Sequence, residues 1–82
     1  MAVRAQLEWR CRRGTKELDL LLQNWLRVAF DGAAAAERQT FLALLDWPDD
    51  ALIRLLLGPE QSADPQVDAL AAKIRSLPLP RP

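Results

Sequence analysis

The 82-residue sequence has no histidine, no tyrosine and a single cysteine, Cys11. Catalysis by a histidine base, CxxC redox chemistry, Cys/His zinc sites and disulfide frameworks therefore all lack parts. The three glycines, Gly14, Gly32 and Gly58, lie far apart, so they cannot form a phosphate-cradling loop. No apolar run approaches the ~18 residues of a membrane span. The opening MAVRAQLEWR has neither the apolar centre of a secretory signal nor an acid-free presequence. These absences argue for a non-enzymatic chain with no metal or resident cofactor and no membrane insertion, and cytoplasm of a bacterial type is the expected location.

What is present is helical patterning. Half of the residues are hydrophobic, enough for one small domain that buries about 60% of the surface its unfolded chain exposes. Val3, Leu7 and Cys11 recur at helical spacing on a first helix over about 3–12 that ends at Gly14, with Trp9 off the stripe. Leu18, Leu21, Leu22, Trp25, Leu26 and Ala29 share one face from Glu17 to about Ala29. Thr15 is the expected cap there, and Glu17 and Asp19 fall in the first turn, where the helix dipole favours negative charge.

After the break at Asp31 and Gly32, AAAAERQTFLALLD predicts a third helix with Phe41, Leu44 and Leu45 inward, and four alanines that bring little area to bury. WPDDALIRLLLG then carries its own punctuation: Pro48 suits the first helical position, Asp49 and Asp50 the first turn, and Gly58 the position past the end. Leu52, Leu55 and Leu56 form its buried face. Asp64 and Pro65 begin a fifth helix with Val67, Leu70, Ala71, Ile74 and Leu77 inward. The expectation is an all-α, compact bundle of about five short helices over 1–76, followed by a Pro-rich, disordered tail over 77–82.

Charge is distributed unevenly. The net charge is zero, yet residues 1–27 hold six basic and three acidic residues and residues 28–82 hold five and eight. A dipolar chain with no sustained basic face argues against nucleic-acid binding. Asp46, Asp49 and Asp50 form the closest approach to a metal cluster, but a calcium loop needs more oxygen ligands at alternate positions, so capping and dipole complement explain them better. Cys11 lies on the apolar stripe and reads as a buried thiol without chemistry.

The densest charge lies in WRCRRGTKELD, residues 9–19, where Arg10, Arg12, Arg13 and Lys16 surround Gly14 and are followed by Glu17 and Asp19. One reading is a solvated helix corner. The other is a docking surface for a protein partner, because the arginine fork recognises carboxylates and carbonyls directionally and glycine lets another backbone approach.

The run W-x-C-R-R-G-x-x-E-L-D resembles the RGxxE signature of the small FAD assembly factors that help flavinylate succinate dehydrogenase and the related fumarate reductase. The similarity extends through the Phe30–Asp31 turn and FLALLDWPDDALIRLLLG, covering residues 7 to about 75. Leu55 stands where that family commonly has a Trp, and Ala33 to Ala36 where it has a polar helix start, so Trp9 and Trp47 become candidates for the aromatic bulk. The resemblance implies a helper that binds the flavoprotein subunit and promotes covalent FAD attachment by positioning rather than by chemistry of its own. Arg13, Gly14 and Glu17 would be the contact centre, flanked by Arg12, Lys16 and Arg10. Arg13 would grip a partner carboxylate or carbonyl, and Glu17 would pair with a partner base or hold Arg13 in line. A polar docking surface implies a monomer. Alternative roles are an antitoxin that neutralises a toxin, as some members of the family are described, and a nucleic-acid module using Arg10 to Lys16.

Overall fold

The computed structural model describes residues 2–79, which form five α-helices: α1 Ala2–Arg10, α2 Lys16–Val28, α3 Ala35–Leu44, α4 Asp49–Leu56 and α5 Pro65–Ser76. No strand occurs among the described residues. The side chain of Val3 and the tail residues Pro80 and Pro82 lie outside the described part.

Each apolar stripe turns inward. Cys11, Leu18, Leu22, Trp25, Leu26, Phe41, Leu44, Leu52, Leu56, Leu70 and Ile74 are fully buried. Helix α5 packs against α2, α3 and α4, while α2 also packs against α1 and α4. Short connections hold consecutive helices close enough for one shared core.

At the centre Trp25 meets Phe41 at 4.6 Å between ring centroids, and Phe30 sits 5.9 Å from each, edge-on. These three rings supply the aromatic bulk of the core. Trp9 supplies none, being 70% exposed, and Trp47 is half-buried against the core's edge. Leu55 is buried, and Trp47 lines the same surface pocket beside it.

Three local expectations are corrected. Pro48 stands at the N-cap of α4 rather than in its first turn, because its ψ of 153° is extended. The first helix stops at Arg10, though Cys11 still donates to Leu7 and Glu8 carbonyls and Arg12 to Trp9, which tightens the final turn. Thr15 is the N-cap of α2 but its side chain makes no cap bond. By contrast Asp64 caps α5 as expected, accepting from the Gln66 amide at 2.9 Å.

The chain past α5 is tied back to the bundle at its start. Asn24, the one buried polar residue among those described, donates from Nδ2 to the Pro78 carbonyl at 3.0 Å. A primary amide at that depth needs a partner, and Pro78 meets the need. Gly58, just past α4, allows a close approach: a Cβ there would stand 3.0 Å from the Arg54 carbonyl oxygen.

Candidate functional site

The connection between α1 and α2, residues 11–15, forms an exposed corner with Gly14 at its apex. Gly14 has φ of +88°, the one positive φ among the described residues, and nothing lies within 4 Å of where its Cβ would be. The position therefore favours glycine for its dihedral while leaving open space outside it. A shallow groove lined by Arg12, Gly14, Lys16, Asp19, Leu20 and Gln23 runs along this corner.

The two neighbouring arginines point opposite ways. Arg12 is exposed, with its guanidinium 5.8 Å from the Trp9 ring centroid. Arg13 turns inward, and its side chain keeps only 15% of its exposure. Its Nε donates to Asp49 Oδ1 at 2.8 Å, Nη1 to the carbonyls of Arg10 at 3.1 Å and Leu45 at 2.9 Å, and Nη2 to the carbonyl of Trp47 at 2.5 Å. Four of the five N–H donors of this fork are thus directed at the protein's own chain.

The acceptors share a physical character. The Arg10 carbonyl ends α1 and Leu45 is the C-cap of α3, so the cation sits at the negative end of two helices. Asp49 opens α4. Asp19 completes the arrangement by accepting the backbone N–H of Arg13 at 2.6 Å.

The charge cluster and the acidic turn DWPDD are therefore partners. Arg10 pairs with Asp46 at 2.5 Å and Arg13 with Asp49 at 2.8 Å, each across 36 residues of sequence. Asp50 is taken by Arg54 at 3.2 Å. The excess positive charge of residues 1–27 is partly answered by the excess negative charge of the later chain, and no group of three or more metal-ligating side chains occurs among the described residues.

Among the sequence-predicted site residues, Arg12, Gly14, Lys16 and Glu17 face solvent. Among the described residues, Arg12, Lys16 and Glu17 take part in no ion pair. Glu17 does not hold Arg13 in line; Asp19 holds its main chain and Asp49 its side chain. Arg10 is half-exposed and engaged by Asp46. Sequence reading placed Asp19 in the charged run without a role at the corner and missed Asp49, for which the signal available was the match of two dense runs of opposite charge, each beside a helix break.

Burial pushes the Cys11 thiol up from its ordinary 9.0 to about 11, with Glu8 adding to the rise and Arg13 and Arg10 opposing it. The thiol is fully buried behind the corner, a setting that disfavours the thiolate.

Residues 5–78 match the protein family described as flavinator of succinate dehydrogenase. The chain is 46% identical over 77 residues to the FAD assembly factor SdhE of Methylococcus capsulatus, covering 94% of this chain and 93% of that protein. It is 45% identical over 73 residues to the FAD assembly factor SdhE of Xylella fastidiosa strain 9a5c, covering 89% and 75%. With the FAD assembly factor SdhE of Coxiella burnetii it shares 35% identity over 72 residues, 88% of each chain. The exposed Gly14 corner lies inside all of the family match.

Proposed function

The chain belongs to the family of flavinators of succinate dehydrogenase, and we propose that it binds the flavoprotein subunit of succinate dehydrogenase, fumarate reductase or both and promotes covalent attachment of FAD. The observation that carries this reading is the family match over residues 5–78, a span that includes the exposed corner.

The docking surface is the outer side of that corner. Gly14 lets a partner backbone approach closely, Arg12 and Lys16 present cations, and Glu17 presents a carboxylate, all exposed. Small, polar surfaces of this kind suit transient association, so the protein works as a monomer that leaves once the flavoprotein matures. No helix among the described residues is long and apolar enough to cross a membrane.

The chemistry belongs to the partner. The bond forms between FAD and a side chain of the flavoprotein, and the helper contributes by holding the partner in the arrangement where those groups meet. A sequence without histidine and with a thiol held protonated lacks the base most often used near neutral pH, which supports a role in positioning. The helper holds no FAD permanently.

The test is covalent flavin on the succinate dehydrogenase flavoprotein, read by in-gel fluorescence in cells lacking this protein. Wild type should restore fluorescence. Gly14→Asn, which accepts a positive φ at small cost, should restore most of it, while Gly14→Arg should not, at matched levels of folded protein. Unchanged fluorescence on deletion would remove this reading altogether.

A further inference from the structure

Arg13 and Arg12 are adjacent in sequence and opposite in placement. Arg12 lies on the surface beside Trp9, as a docking arginine would. Arg13 has its fork filled by Asp49 and by the carbonyls of Arg10, Leu45 and Trp47, and its amide held by Asp19. We infer that Arg13 is a positioning residue: it acts on the flavoprotein through the corner it fixes, and Asp49 and Asp19, outside the RGxxE run, belong to the same device. This inference rests on the docking reading above.

The physical case begins with where the acceptors come from. They sit at the end of α1, in the α3–α4 turn and in the first turn of α4, so one side chain links the corner to a turn more than 30 residues away. The corner is short, residues 11–15, and its apex adopts a left-handed dihedral. The residue before that apex is held through both main chain and side chain, which fixes where Gly14, Arg12 and Glu17 face. Removing the fork would leave part-buried carbonyls unmet and let the corner move against the α3–α4 turn. Lysine could not substitute, since a single ammonium cannot reach acceptors spread around a planar fork.

A direct-contact role predicts the opposite dependence on Asp49. If Arg13 reached the partner, neutralising Asp49 would free the fork and leave affinity unchanged or higher. If Arg13 positions the corner, losing Asp49 weakens docking with Arg13 still present.

The experiment measures binding of the purified flavoprotein subunit of succinate dehydrogenase to wild type, Arg13→Gln, Asp49→Asn and the double variant, with Val67→Ala on α5 as a control for lost stability. Amide hydrogen exchange of each free protein is measured alongside. Asp49→Asn should weaken binding about tenfold and Arg13→Gln at least tenfold, with the double variant no weaker than Arg13→Gln. The amides of Arg12, Arg13 and Asp19, bonded to the Trp9 carbonyl, the Asp19 carboxylate and the Thr15 carbonyl, should exchange at least tenfold faster in both single variants, while Val67→Ala binds within twofold of wild type. Wild-type affinity in Asp49→Asn overturns the inference, as does an equal loss of affinity in Val67→Ala. Should wild type itself fail to bind, the docking reading fails, and unchanged exchange at the corner in Asp49→Asn would still overturn the positioning role separately.

Discussion

The Asp19 carboxylate accepts the backbone N–H of Arg13 at 2.6 Å, and the chain repeats this bond at its last helix, where Asp68 accepts from Ser62 at 2.7 Å. In both places the acceptor stands four residues past the N-cap, Thr15 or Asp64, and the donor two residues before it. The carboxylate lies in the positive field of the helix start and simultaneously stops the incoming loop from swinging. At α2 this device substitutes for the side-chain cap that Thr15 does not make.

Asp19→Ala and Asp68→Ala should therefore each lower the unfolding free energy by about 1–3 kcal/mol, the cost of leaving a part-buried amide donor without its carboxylate acceptor. Urea denaturation followed by circular dichroism checks this. Their effects should part in the flavinylation assay: Asp19→Ala loosens the Gly14 corner and reduces covalent flavin, whereas Asp68→Ala, at the far entrance to α5, leaves it near wild type. Equal loss in both would mean that stability alone governs the readout.

Gly14 and Gly32 both have open space where a Cβ would stand, and only Gly14 has a positive φ. Gly14→Ala should destabilise by about 1–2 kcal/mol from dihedral strain alone. Gly32→Ala should be neutral or stabilise by about 0.4–1 kcal/mol, through a less disordered unfolded chain. Thermal denaturation of the pair separates the two cases, with a shift of roughly 4–8 °C per kcal/mol for a domain of this size. Matching melting temperatures would show that the corner bears no strain and that Gly14 is needed for space only.

Local patterning made most of the fold legible. Leu18, Leu22, Trp25 and Leu26 share a helical face and are buried together, and Trp9, off its stripe, is exposed. Breaks at Gly14 and Gly58 punctuate helices by backbone chemistry that acts over a few residues. What spacing could not reveal was decided by tertiary contact. Arg12 and Arg13 are indistinguishable by composition, and only the turn at Asp46–Asp49, brought beside them from 36 residues away, draws one inward. Asn24 interrupts an apolar face and is nonetheless buried, because the Pro78 carbonyl arrives to accept from it. The boundary at Pro48 was off by one position since its fixed φ suits both the N-cap and the first turn, and ψ makes the choice.

Phe41 is fully buried against Trp25 and Phe30, and it joins α3, the least strongly amphipathic of the core-facing elements after its alanine start, to α2. Phe41→Ala should cost about 3–5 kcal/mol, from lost transfer energy and the cavity left among the rings. A single domain of this size has on the order of 5–8 kcal/mol to lose, so the variant should be partly unfolded near 40 °C. Near-ultraviolet circular dichroism reports the packing of the aromatic rings, and the contribution of Trp25, the one fully buried tryptophan among the described residues, should lose its fine structure in Phe41→Ala while Phe41→Leu keeps much of it. A full native spectrum in the alanine variant would mean that α3 contributes little to the common core.

Cys11 gives the fold a dependence on alkaline pH. Burial, with Glu8 second, lifts the thiol from 9.0 to about 11. The folded protein then keeps a proton that the unfolded chain releases, so the unfolded state binds fewer protons across this window and stability falls as pH rises. Below pH 9 both states are protonated and the contribution is whole; it declines progressively until about pH 11, where the folded thiol also ionises. A difference of that size corresponds to about 2–3 kcal/mol. Wild type should lose this much more than Cys11→Ala between pH 8 and pH 11 in urea denaturation. The variant's own cavity cost is present at every pH. Native protein at pH 8 should also react slowly with an aromatic disulfide reagent, and the rate should rise as urea opens the corner, because only an exposed thiolate attacks. Parallel stability profiles for the two proteins would show instead that Cys11 ionises in the folded state near its ordinary value, and with it that water reaches the space behind the Gly14 corner.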